Sequence, residues 1–122
     1  MAEGRIIAER RGGILYLTIS NPDSFNSVTT AMREDLIRNV REAENDDSVR
    51  VIVLKGDGEK CFCSGLSMEM LDSISCMEDR HEQWVVGKRI REALQESTKI
   101  LVAAVKGSCA GNALEILGIA LE

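Results

Sequence analysis

Two short, almost uninterrupted apolar runs, Val49 to Leu54 and Ile100 to Val105, constrain this 122-residue chain more than any other feature. A strand that is apolar on both sides has no face to give to water. It belongs inside a sheet covered by helices. Segments of helical spacing surround both runs. Thr29 or Thr30 caps a helix to about Asn45, with Met32, Leu36, Val40 and Ala43 on one face. A second helix, Met77 to Glu96, carries Val86, Ile90 and Leu94 at four-residue spacing, and Trp84 and Val85 widen that face. Upstream, Arg5 to Arg11 and Ile14 to Ser20 read as strands joined through Gly12-Gly13, with Leu15, Leu17 and Ile19 forming an apolar side. Hairpin, helix, strand, helix, strand, helix is an α/β order that favours parallel pairing with helical crossovers.

The connections carry turn chemistry. Asn21-Pro22-Asp23 ends the second strand and opens a loop to about Val28, and Asn45 to Ser48 is a turn. Gly56-Asp57-Gly58 breaks the first apolar run. Cys61 to Gly65 is extended, followed by a short helix near Ser67 to Ser73, and the last helix begins near Asn112. Glu34 to Arg38 and Arg38 to Glu42 are spaced as charge pairs on a solvent side.

The length fits one domain over residues 1–122. Hydrophobic residues at 44% and charged residues at 29% describe a soluble globular protein. A formal net charge of −5 argues against a nucleic-acid surface, and no apolar run is long enough for a membrane span. Without a charged-then-apolar leader, the cytoplasm is the expected location. Cys61, Cys63, Cys76 and Cys109 contain no CxxC pair, and the lone His81 has no ligand partner, so no metal framework is read. The cysteines are expected to be small buried residues, and His81 a solvated helix residue.

Two strand ends run through glycine turns into helices: Cys63-Ser64-Gly65-Leu66-Ser67 and Gly107 to Asn112. Ligands gather at the carboxyl ends of neighbouring strands in open α/β sheets. If the two turns are adjacent, one backbone N–H from each can converge on a carbonyl oxygen and stabilise an oxyanion there. The same turns also serve as plain structural punctuation. Glu115 falls in the first turn of the last helix among Ala113, Leu114, Ile116 and Leu117. Such a carboxylate either answers the helix dipole or, desolvated with a raised pKa, moves a proton near neutral pH.

Four motifs stand in one order: Asn21-Pro22-x-x-x-Asn26, Val51 to Gly56, Phe62-Cys63-Ser64-Gly65-Leu66, and Val102-Ala103-Ala104-Val105-x-Gly107-x-x-x-Gly111-x-x-x-Glu115. Together they resemble the crotonase superfamily of enoyl-CoA hydratases and isomerases, over nearly the whole chain from about Gly13. The resemblance implies an α/β spiral of repeated ββα units, truncated here relative to the full family fold. It implies an acyl-CoA thioester substrate, with coenzyme A entering as part of that substrate and no tightly bound cofactor. By position, Leu66 and Asn112 supply the oxyanion N–H groups, and Glu115 matches the first of two acid/base glutamates. Lys60, with Leu66, Ser67, Met68 and Glu69, matches the region holding the coenzyme A nucleotide and pantetheine. Ser64 belongs to the same turn, and Ser24 and Phe25 fall in a loop that lines coenzyme A in relatives.

The chain departs from the family pattern at three places. Ser67 stands where aspartate is usual, Gly111-Asn112-Ala113 replaces a glycine cluster, and Ile100 replaces a proline. Asn112 has a side chain near the expected thioester, although asparagine tolerates unusual dihedrals. The second glutamate falls beyond Glu122, so the chain corresponds to the N-terminal half of the family fold. A half-domain is expected to expose apolar surface on Ile100 to Val105, and to form a homo-oligomer or pair with a complementing C-terminal half. Hydration of an α,β-unsaturated acyl-CoA is the leading expectation. A double-bond isomerase and a non-catalytic interaction module are the alternatives.

Overall fold

In the computed structural model, residues 4–65 and 75–109 are described. The Gly12-Gly13 turn folds strand β1 (Arg5–Arg11) antiparallel onto β2 (Ile14–Ser20), pairing Arg11 with Ile14. Thr29 then caps helix α1 (Thr30–Glu44), its hydroxyl accepting a hydrogen bond from the Met32 N–H at 3.2 Å. The helix ends in the expected turn, where Asn45 and Asp46 donate N–H groups to the carbonyls of Glu42 and Ala43.

Strand β3 (Val51–Gly56) lies parallel to β2, and β5 (Ile100–Ala104) lies parallel to β3. The sheet order is β1-β2-β3-β5. Between those two strands come β4 (Cys61–Cys63) and helix α2 (Met77–Glu96), and β6 (Ser108–Cys109) follows β5. Strands β4 and β6 form a second, two-stranded parallel sheet. The opening hairpin places both of its strands in the large sheet, and each later pair, β3 with β4 and β5 with β6, gives its first strand to the large sheet and its second to the small one. This is the expected ββα spiral.

Its core lies between the large sheet and the two helices. Leu17, Ile52, Leu54, Met32 and Phe62 are fully buried there, with Leu36, Val40, Ile90 and Leu94 packed around them. Each such side chain contributes about 1.5–3 kcal/mol by leaving water. The helices are also pinned to each other. The buried Arg33 guanidinium of α1 donates to the Gln83 side-chain oxygen at 2.6 Å and to the Gln83 carbonyl at 3.2 Å. Arg89–Glu34 at 2.7 Å and Arg41–Glu96 at 2.9 Å cross the same gap near solvent.

Several expectations change. The first apolar run forms its strand two residues late, because Val49 is buried in the turn, its N–H donating to the Asp46 carbonyl. The second run is covered on one side only: Ile100 is 63% exposed and Val102 41%, while Leu101 and Ala103 turn inward. Exposed apolar surface on this segment was expected, and it is present. Trp84 and Val85 do not widen the core face of α2. Trp84 stacks on His81 at 5.9 Å and lies under Lys88, facing solvent. Glu34 pairs with Arg89 rather than Arg38, and Arg38 pairs with Asp35 at 3.1 Å and Glu42 at 4.0 Å. Cys61 and Cys63 are buried as expected, but Cys76 is exposed.

Candidate functional site

Because β2, β3 and β5 run parallel, their carboxyl ends leave the large sheet at one edge. Three connections therefore meet there: residues 21–28, residues 57–60 leading into β4, and residues 105–107 leading into β6. In open α/β sheets this edge is where ligands bind.

The connections are in direct contact. Asp57 donates its N–H to the Ile19 carbonyl at 2.9 Å, and its carboxylate accepts the Ser20 hydroxyl at 2.7 Å. The first loop turns through a short 3-10 helix, Pro22–Ser24, and then through Phe25 and Asn26, both left-handed with φ of 53 and 56. Val28 N–H donates to the Gly65 carbonyl at 2.8 Å, tying that loop to the exit of β4. On the other side, Gly107 sits so close to the Lys60 carbonyl that a Cβ there would collide with it. Only glycine permits that approach at a φ of 72.

The strands that lead toward the two glycine turns are neighbours. Cys61 pairs with Ser108 and Cys63 with Cys109, in parallel and with a bulge between them. Both strands therefore head the same way, side by side, into the segments that follow.

Four of the residues expected to hold coenzyme A lie among the described ones. Ser24 and Ser64 are exposed neighbours, the Ser64 hydroxyl reaching the Ser24 carbonyl at 3.4 Å. Phe25 presents a ring 68% exposed while its carbonyl accepts the Cys61 thiol at 3.1 Å. The Lys60 side chain is exposed at the same edge. Leu66, Ser67, Met68, Glu69, Asn112 and Glu115 lie outside the described residues. The described part thus holds the 21–28 loop against the exit of β4 and sets β4 beside β6.

The thiols beneath are shielded. Burial pushes the Cys63 thiol up to about 11, outweighing the Gly65 N–H that favours its thiolate, and burial raises Cys109 as well. Neither has the character of an activated nucleophile. Among the described residues no group of histidine, cysteine and carboxylate side chains could hold a metal ion, and no helix is long and apolar enough to cross a membrane.

Reading the residues alone missed the part played by Asn26. It belongs to a quoted motif, but its 2% exposure and its bonds to two other segments appear only in the fold. Arg33 was likewise missed, since an arginine on a helix is ordinarily a solvated residue.

Comparison with known proteins gives the same architecture. The family described as enoyl-CoA hydratase/isomerase matches residues 9–120. The short-chain-enoyl-CoA hydratase of Clostridium acetobutylicum is 28% identical over 116 residues, covering 95% of this chain and 44% of that protein. The crotonyl-CoA hydratase of Syntrophomonas wolfei is 27% identical over 120 residues, with the same coverages of 95% and 44%. A crystal structure of an enoyl-CoA hydratase/carnithine racemase from Magnetospirillum magneticum superposes with a TM-score of 0.89 at 25% identity, over 97% of this chain and 45% of that one. The chain spans less than half the length of these relatives.

Proposed function

The chain belongs to the enoyl-CoA hydratase/isomerase family, and from that premise we propose that it binds acyl-CoA thioesters for enoyl-CoA hydration. The reaction is addition of water to an α,β-unsaturated acyl-CoA through an oxyanion-stabilised enolate. The observation that supports this reading is the parallel pairing of β4 with β6, the strands that lead toward the two glycine turns, at the carboxyl edge. Two relatives named as hydratases support the same chemistry.

In this reading the Leu66 and Asn112 N–H groups meet at the thioester oxygen. Glu115 accepts a proton from water as the water oxygen bonds to the β carbon. The π electrons move toward the thioester oxygen, and return of that proton from Glu115 to the α carbon completes the addition. Each oxyanion donor lowers the barrier by about 3–4 kcal/mol. Ser24, Phe25, Lys60, Ser64 and the segment Leu66 to Glu69 hold the coenzyme A arm, with Lys60 available to a phosphate. Coenzyme A is part of the substrate, the cytoplasm is the proposed location, and no tightly bound cofactor is called for.

A second reading rests on a separate observation. The exposed side chains of Ile100, Val102 and Val105 form apolar surface that fits self-association or a complementing C-terminal half. The chain then serves as a non-catalytic module. A double-bond isomerase uses the same site without water addition. Measuring crotonyl-CoA hydration by the chain and by Glu115→Gln tests the leading reading: the substitution should abolish turnover, and equal activity removes Glu115 from the mechanism.

A further inference from the structure

Buried polar side chains gather at the carboxyl end of β2, where Ser20, Asn21, Asn26 and Ser27 are each less than one-tenth exposed. Burying such groups is unfavourable unless every donor and acceptor is satisfied. Asn26 satisfies its own completely. Its side-chain oxygen accepts the Asn21 N–H at 2.9 Å, and its amide donates to the Asp57 carbonyl at 3.0 Å and the Cys61 carbonyl at 2.8 Å. One N–H donor and two carbonyl acceptors allow only one orientation of that amide.

The partners come from different parts of the chain. Asn21 belongs to the same loop as Ser24 and Phe25, Asp57 to the connection after β3, and Cys61 is the first residue of β4. Cys61 is bonded back through its thiol to the Phe25 carbonyl, and it pairs with Ser108 of β6. The left-handed φ of 56 at Asn26 turns the side chain inward and leaves the Phe25 ring outside. Asparagine adopts that conformation more readily than most residues.

We propose that Asn26 is a positioning residue that fixes the loop carrying Ser24 and Phe25 relative to β4 and its exit at Ser64 and Gly65. The inference rests on the acyl-CoA reading given above, taken with the loop gripping the nucleotide end of coenzyme A and the turn receiving the thioester carbonyl. A ligand that reaches both segments depends on their spacing. A ligand that reaches the turn alone does not.

The test compares acetyl-CoA with acetyl-pantetheine, which carries the same thioester without the nucleotide. Asn26→Asp keeps the shape and the tolerance of a left-handed φ, but its carboxylate cannot donate to the two carbonyls. Titration of the full chain should show acetyl-CoA binding weakened by roughly tenfold or more, and acetyl-pantetheine by less than about twofold. Equal losses for both thioesters overturn the assignment and leave Asn26 a plain structural residue. If Asn26→Asp is unfolded by circular dichroism, Asn26→Ser carries the test. It is neutral and too short to reach the Asp57 and Cys61 carbonyls, so it should show the same selectivity, and equal losses again overturn the assignment. Wild-type protein that binds acetyl-CoA no better than acetyl-pantetheine overturns the acyl-CoA reading first, and this inference with it.

Discussion

Replacing Gly107 with alanine probes the contact that locks β6 against β4. A Cβ at this position overlaps the Lys60 carbonyl and comes within 2.9 Å of the Cys61 nitrogen. Those are backbone atoms at the start of β4, so no side chain can swing away to make room. The left-handed φ of 72 costs an alanine about 1–2 kcal/mol. Displacing the packed backbone costs about 1–3 kcal/mol more. The sum, about 2–5 kcal/mol, is a large share of the roughly 5–15 kcal/mol that holds a typical domain together. Gly58 supplies the control: its φ is 78, but an added Cβ meets nothing within 4 Å. Gly58→Ala should therefore cost only the conformational part. Urea unfolding of both variants, followed by circular dichroism, reads the difference. Gly107→Ala should be less stable than Gly58→Ala by at least about 1 kcal/mol. Equal midpoints and slopes would refute the close approach of Gly107 to the start of β4.

Three further outcomes follow from the side chains. Cys76 is exposed while Cys63 is buried with its thiol pushed up to about 11, so a thiol reagent at pH 8 should label Cys76 first and Cys63 only on unfolding. Because the folded state holds the Cys63 proton more tightly than the ordinary value of 9.0, its contribution is intact below pH 9 and is lost as pH rises toward about 11. A Cys63→Ala variant should show a flatter alkaline limb in a stability–pH profile. Glu44 accepts hydrogen bonds from the Thr98 hydroxyl, the Thr98 N–H and the Ser97 hydroxyl, which hold its carboxyl below the usual 4.5. Its contribution is present above that value and is lost as pH falls through the lowered pKa, so Glu44→Gln should weaken the acid dependence of unfolding.

The strands and helices were legible because their residues are chosen by local rules. The Gly12-Gly13 turn, the Thr29 cap and the spacing of Ile90 and Leu94 each state their conformation within a few positions. Errors arose where burial is decided at longer range. Val49 is apolar because it plugs a turn, not because it belongs to the ladder, whereas Lys55 and Gly56 join β3 through backbone pairing with Thr18 and Ile19. Trp84 looked like core, but it sits about 200° round the helix from Val86. It meets His81 and Lys88 instead. For the site, spacing pointed to two glycine turns, and only the pairing of β4 with β6 across a long sequence separation shows that the strands leading toward them are neighbours. The part played by Asn26 was invisible for the same reason: its partner Cys61 is 35 residues away.

The central claim is that the carboxyl edge forms an acyl-CoA site able to stabilise an enolate. Equilibrium titration of the chain with acetyl-CoA and with an enolate-mimicking CoA analogue tests it most directly. Both should bind, and the analogue at least about a hundredfold more tightly, because the two N–H groups favour the developing oxyanion. Absence of CoA binding at any concentration would contradict it.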